Sequence, residues 1–326
     1  MKGLLTWSKT SIAALLILTY GCNKNDNLNN TAEKVALTNQ NALTAAAITP
    51  NPYKVAYYAF DHGGPRISTF APGANVVVLF EGTPFEMADS IHYGSTSSYM
   101  FSNANYKSYK AILADVQILQ SKGVKVLWNI DDASAWQTAT PFTTYNGVGL
   151  TAAQYAAFVK SCVIDSLHMD GIALDQEHIQ PYSTTPNTNY LAVLNSLSSY
   201  FGLKSSNPST IFTSATGYNV AYGLNPIKNN TAYAANMNFV MDMGYNVSNT
   251  YRVNTRLKPF ASITNFGWPK TMTGVDVEGN TVGGSQFIQD SISSAWEPSG
   301  TNKAGIMVYA ANGDTAYTGR IFRAYK

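Results

Sequence analysis

The sequence predicts an α/β protein, a (β/α)8 TIM barrel with one or two missing or irregular outer helices, over residues 53–326. Three observations carry this expectation. From Tyr53 onward, apolar strand-like runs alternate with loops and amphipathic segments. Eight such runs occur, at 53–60, 75–80, 124–130, 170–175, 210–215, 237–243, 259–264 and 304–309, the number that a closed parallel barrel needs. Polar or aromatic residues follow nearly every run: Asp61 and His62, Glu81, Trp128 to Asp132, Asp175 and Glu177, Ser214 and Thr216, Asp242 to Asn246, Asn265 to Trp268, and Tyr309 to Asp314. Barrel enzymes gather function at the C-terminal strand ends. Strand ends are more polar than strand middles in any fold, so position alone names no chemistry.

Taken in order, residues 1–21 read as a signal peptide. A polar and basic patch runs to Lys9, followed by an apolar core from Ile12 to Leu18 and then Gly21-Cys22. The apolar core is too short to span a bilayer. Gly21-Cys22 resembles a bacterial lipoprotein cleavage site, although Leu18 lies one place early. The resemblance implies a lipid anchor on Cys22 and membrane contact through it. The expected location is the bacterial cell envelope, at the outer membrane or cell surface, with secretion if Cys22 is not lipidated. Residues 22–52 are rich in Asn, Thr and Ala and read as a flexible tether.

Within the barrel, the first connection (61–74) carries Gly63, Gly64, Pro65, Pro72 and Gly73 and predicts a loop. Helices are expected at 104–122, ending at Gly123, at about 188–203 and at 284–296. The clearest precedes the fourth strand. Thr151 and Gln154 form a capping-box pattern, and Tyr155, Phe158, Val159, Cys162, Val163 and Leu167 recur at helical spacing. The fifth connection (216–236) is weakly helical. Cys162 on that apolar face is a buried small hydrophobe.

Composition narrows the function. A net charge of +2 with 12% charged residues gives none of the clustered basic footprint of nucleic-acid binding. Two cysteines, Cys22 and Cys162, make neither a disulfide framework nor a metal cluster. No cofactor and no metal are expected. The 21 tyrosines fit a protein that stacks rings on sugars, though most must serve the core.

The stretch Leu167 to His178 carries the chemistry. Alternation along its strand places Ile172 and Leu174 on one face and Ala173, Asp175 and Glu177 on the other. Two neighbouring acids disfavour joint ionisation, and the usual benefit is one carboxyl that holds a proton near neutral pH. Asp170-Gly171-Ile172-Ala173-Leu174-Asp175-Gln176-Glu177 resembles the Asp-Gly-X-Asp-X-Asp-X-Glu signature of glycoside hydrolase family 18, the chitinases and endo-β-N-acetylglucosaminidases. Ala173 stands where chitinases carry an Asp. Met243-Gly244-Tyr245-Asn246 is similar to the family's Met-X-Tyr-Asp motif, with Asn in place of Asp. Lys125 to Leu127 and Gly305 to Tyr309 fit the family loosely, and Tyr309 lies where chitinases carry a Trp.

The resemblance implies a retaining, substrate-assisted mechanism. Glu177 is the general acid and later base, Asp175 stabilises the oxazolinium, and Tyr245 positions the acetamido oxygen. Two acids on one strand cannot flank a sugar ring from opposite faces, which suits the same route. Without a carboxylate at 173, Asp175 is expected to be less readily held protonated. Candidate substrate-binding residues are Asn246, Trp128, Asn129, Asp131, Trp268, Tyr309 and Asp242. Asp170 and His178 are expected to be structural, and His62 has no evident partner. The leading reading is an endo-β-N-acetylglucosaminidase that cuts the di-N-acetylchitobiose core of N-glycans. The partner is an N-acetylglucosamine-containing glycan or glycoprotein, and the protein acts as a monomer. The alternatives are a chitinase-like hydrolase of N-acetylglucosamine polymers and a non-catalytic surface glycan-binding protein on the same fold.

Overall fold

The computed structural model describes residues 52–325 apart from 72, 94–98, 144–146, 179–185 and 218. The segments expected to form a signal peptide and a tether, with Cys22, lie outside the described residues apart from Pro52. Eight strands close into a barrel: β1 (Tyr53–Ala59), β2 (Val76–Phe80), β3 (Lys125–Asp131), β4 (Gly171–Gln176), β5 (Ile211–Thr216), β6 (Phe239–Asp242), β7 (Thr271–Asp276) and β8 (Gly305–Tyr309). Each pairs in parallel with its sequence neighbours, and β1 closes against β8.

Strand alternation sorts the apolar residues into two cores. Val55, Tyr57, Val78, Leu127, Ala173, Ala215, Met241, Met272 and Met307 fill the barrel interior. Ala56, Tyr58, Val77, Trp128, Ile130, Ile172, Leu174, Phe212 and Ile306 face outward against the helices. Both strand faces are therefore buried, as parallel strands require. Gly171 opens β4 at φ 151°, and a Cβ there would lie 2.0 Å from the Ile211 carbonyl oxygen. The motif glycine is needed because β5 approaches this closely. Asp170 before it accepts hydrogen bonds from Lys125 Nζ at 2.8 Å, Gln120 Nε2 at 2.9 Å and the Val126 amide at 3.0 Å. It pins the start of β4 to β3, the structural role its position predicted.

The helix before β4 spans Ala152–Lys160 with the Thr151/Gln154 capping box formed. It continues as a π-helix over Ser161–Ser166. Cys162 is buried on its inner side, with Sγ 3.4 Å from the Pro84 carbonyl oxygen, and burial pushes its thiol up to about 12. Among the described residues, the first connection holds only the short turn Phe60–His62. Other predicted helices appear as Tyr109–Ser121, Thr188–Ser198 and Ser285–Ala295.

Three features differ from expectation. The fifth connection forms two helices, Ala221–Asn229 and Thr231–Asn236, the second capped by the Asn230 side chain. A further helix, Thr315–Ala324, follows β8 and is capped by Asp314. The seventh strand is Thr271–Asp276, not 259–264, and helix Lys258–Ala261 occupies the first part of that apolar run.

Candidate active site

The mouth of the barrel is built by inward-facing positions at the C-terminal strand ends. Tyr57, Phe80, Tyr245, Met243 and Tyr309 pack at the upper edge of the interior core. Alternation from Leu127 and Met272 carries Asn129, Asp131 and Asp276 to the same side. Asp175 lies two positions beyond the interior Ala173, and Glu177 follows β4. Asp131 is the register partner of Asp175 on the neighbouring strand. The two acids singled out in the sequence thus share one mouth with two carboxylates and four aromatic rings from other strands.

Asp175 is 4% exposed, and its Oδ1 has no hydrogen-bond partner. Burial raises its pKa well above the usual carboxylate range, and the charges of Glu177, Asp131 and Asp132 push the same way. Asp175 is thus held toward its protonated form even with Ala173 in place. Position 173 carries no carboxylate, but β3 supplies one at Asp131, and the barrel excludes water. Glu177 opens to the cleft. Partial enclosure raises its pKa, His178 lowers it, and Asp131 and Asp132 raise it.

Tyr57 is 3% exposed with an unpartnered Oη. Burial raises its phenol strongly, followed by Asp175 and Asp131. Tyr245 and Tyr309 stack with centroids 5.6 Å apart and planes 17° apart, forming an aromatic wall. The Asn129 amide donates to Asp131 Oδ1 at 2.7 Å and leaves its own Oδ1 without a partner. Buried polar atoms left unpaired cost free energy unless a ligand meets them. Asp175 Oδ1, Tyr57 Oη and Asn129 Oδ1 thus leave unmet polar capacity at one mouth, beside an aromatic wall.

Asp132 carries no motif signal in the sequence, yet it fixes the end of β4. Its Oδ1 accepts the backbone N–H of Glu177 at 3.2 Å and of His178 at 2.8 Å, and the His178 ring lies 3.2 Å away. Tyr190 Oη donates to its Oδ2 at 3.3 Å. His178 is thus tied to Asp132 by both its amide and its ring, in keeping with the structural part expected of it. Across the mouth, His62 bridges Asp61 and Glu278, partners the sequence did not reveal. Glu81 accepts the Asp61 amide at 2.8 Å and is pushed up to about 7, mainly by burial. Asp276 is pushed up to about 6 for the same reason.

Three candidate binding residues lie elsewhere. Trp128 alternates with the inward Leu127 and Asn129, so its ring sits in the outer core, 1% exposed. Asp242 has outward parity and pairs with Arg256 Nε at 2.5 Å, buried on both sides. Trp268 precedes β7 and meets Trp296 with centroids 5.4 Å apart, at the end of the barrel opposite the mouth. Its assignment rested on the displaced seventh strand. Asn246 stays at the rim, exposed, with φ 57° and its Oδ1 3.2 Å from Asn280 Nδ2. Among the described residues, no three or more His, Cys, Asp or Glu side chains are placed to hold a metal ion.

No family model matches the chain. Solved structures share its fold. An endo-β-N-acetylglucosaminidase from Cordyceps militaris, in complex with fucosyl-N-acetylglucosamine-Asn, matches with a TM-score of 0.56 at 17% identity, over 92% of this chain and 97% of that one. A GH18 chitinase from Pseudoalteromonas aurantia matches at 0.59 and 17%, over 83% and 99%. The catalytic domain of a GH18 chitinase from the fern Peteris ryukyuensis matches at 0.57 and 17%, over 83% and 99%. The fold is the TIM barrel of these glycoside hydrolases.

Proposed function

We propose that this barrel is a glycoside hydrolase of the family 18 type, acting on β-linked N-acetylglucosamine with the sugar's own acetamide as nucleophile. The observation that carries the reading is the pair Asp175 and Glu177. One is sealed into the barrel with a raised pKa, and the other opens to the cleft two residues on. Asp175 lies at the end of β4 and Glu177 directly follows it, so neither faces the other across a sugar ring. A double-displacement enzyme with its own nucleophile needs carboxyls on opposite faces of the anomeric carbon.

In this scheme Glu177 gives its proton to the glycosidic oxygen as the bond to the anomeric carbon breaks. The acetamido oxygen closes on that carbon. Asp175 and Glu177 share one proton, which leaves through Glu177. Asp175, then ionised, accepts the acetamido N–H, and its interaction strengthens as positive charge develops on the oxazolinium. Tyr245, on the aromatic wall, orients the acetamido oxygen. Water then attacks the anomeric carbon and gives its proton to Glu177. The ring opens, and two inversions leave the configuration retained. Asn129, Asp131, Tyr309 and Asn246 are the remaining sugar contacts.

Within this class we favour cleavage of the di-N-acetylchitobiose core of N-glycans, by a protein acting as a monomer. What supports this choice is that Ala173 stands where chitinases carry an Asp, and Tyr309 where they carry a Trp. Mass spectrometry of products from a mixed glycoprotein digest tests it. Release of glycans that carry a single reducing N-acetylglucosamine is the expected result, and release of only chitin oligomers from chitin would replace it with the chitinase reading.

We also propose a lipid anchor at Cys22 that holds the barrel at the outer membrane or cell surface. Palmitate should label the wild type and not Cys22→Ser; equal labelling of both rules the anchor out.

A further inference from the structure

Glu177 is bounded on its β5 side by a glycine. A Cβ on Gly217, the residue after β5, would lie 2.4 Å from Glu177 Cβ, 3.2 Å from its Cα and 3.0 Å from its Oε2. The first two atoms belong to the base of the side chain, so a rotamer change cannot relieve the contact. Gly217 is itself held in place. Its amide donates to the Gln176 carbonyl at 3.2 Å, and its carbonyl accepts from Arg256 Nη2 at 2.7 Å. Arg256 lies in turn against Asp242 through Nε at 2.5 Å, and Asp242 Oδ1 also accepts the Gly244 amide at 3.0 Å. Gly244 leaves room for the guanidinium, since a Cβ there would lie 2.1 Å from Arg256 Nε.

We propose that Asp242, Arg256 and Gly217 form a brace that fixes where the Glu177 carboxyl sits in the mouth. This inference rests on Glu177 being the general acid. The brace runs from the end of β6 through the following helical segment to the end of β5. It meets Glu177 from the side opposite Asp132, which holds the same residue by its backbone amide. Glu177 is thereby located from two directions. An exposed carboxylate needs such support, because a proton donor misplaced by about 1 Å loses much of its rate. Arg256 suits this position because its planar fork reaches a carboxylate and a carbonyl at once, which an ammonium does not. These are positioning residues, and none of them contacts the sugar.

The test separates positioning from stability by the leaving group. Hydrolysis of a chitooligosaccharide needs the proton from Glu177. Cleavage of a 4-nitrophenyl chitobioside does not, because nitrophenolate departs unprotonated. Gly217→Ala should lose at least ~10-fold in kcat on the chitooligosaccharide, a fraction of what general acid catalysis supplies. Its kcat/KM on the nitrophenyl substrate, which reports cleavage before Glu177 acts as base, should stay within about threefold, with KM on the chitooligosaccharide little changed. Arg256→Lys keeps the charge beside Asp242 but not the reach to Gly217, and should show the same split. It decides the matter if Gly217→Ala does not fold. Equal losses on the two substrates, or no loss in either variant, overturn the brace. The parent reading is judged separately by Glu177→Gln: if that variant hydrolyses the chitooligosaccharide normally, the assignment of Glu177 has failed, whatever Gly217 does.

Discussion

Glu177→Gln is expected to lower turnover of N-acetylglucosamine-linked glycans by at least ~10²-fold, the usual scale for loss of a general acid. The substitution is nearly isosteric and leaves the backbone bond to Asp132 intact. Binding of intact glycan should therefore persist, and the loss should appear in kcat rather than KM. The electrostatics add a pH signature. Enclosure and the neighbouring Asp131 and Asp132 raise the Glu177 pKa against the opposing pull of His178. A general acid works only while protonated, so wild-type activity should fall as pH climbs through that raised value. The residual activity of Glu177→Gln should lack this alkaline limb. Steady-state kinetics across pH, with glycan binding measured by calorimetry, supply both readouts. Undiminished hydrolysis in the variant removes Glu177 from the role. Wild type that binds glycan and never turns it over favours the binding-only alternative.

Much of this was legible because strand alternation is a local rule. The run from Gly171 to Gln176 declares its own inner face, and barrel closure keeps it. The same rule, applied to β3, separates Asn129 and Asp131 from Trp128. Reading the strand end as one polar cluster blurred that distinction. The seventh strand failed for a different reason. Thr271 and Thr273 are fully buried, and Gly274 is required because a Cβ would lie 1.9 Å from the Asp242 carbonyl oxygen. A strand built from Thr, Gly and Met reads as polar, while the more apolar 259–264 competes with it. Trp268 followed that error to the wrong end of the barrel.

What the sequence could not hold is contact between distant strands. Tyr57 is one tyrosine among 21, and only closure of β1 onto the barrel brings it within the electrostatic reach of Asp175. Asp132, Gly217 and Arg256 act on Glu177 from 45, 40 and 79 positions away along the chain. No spacing pattern connects them. Asp131 is the instructive case. The motif alone shows a carboxylate missing at 173, whereas the adjacent strand places one in register with Asp175. A deficit within one strand says little about a site that eight strands share.

Asp175→Asn gives the second large effect, and it separates catalysis from stability. Turnover should fall by ~10²-fold or more, the scale for removing one preorganised group from a developing charge. The oxazolinium loses its anionic partner, and a thiazoline analogue of that intermediate should inhibit wild type but bind the variant weakly. Stability should move the other way. Folded Asp175 holds its proton to higher pH than an unfolded Asp of pKa ~3.9. Its stabilising contribution is thus complete below that value and is lost as pH rises through the folded one. Asn cannot ionise, so the variant escapes this loss and leaves no charge beside an orphaned Oδ1. The melting temperature of Asp175→Asn relative to wild type should climb as pH rises above the unfolded value of ~3.9, and level off only once the folded carboxyl has ionised. A gap that stays flat or narrows with pH would show that Asp175 sits ionised in the resting mouth. A thiazoline without effect on wild type would remove the sugar's acetamide as the nucleophile.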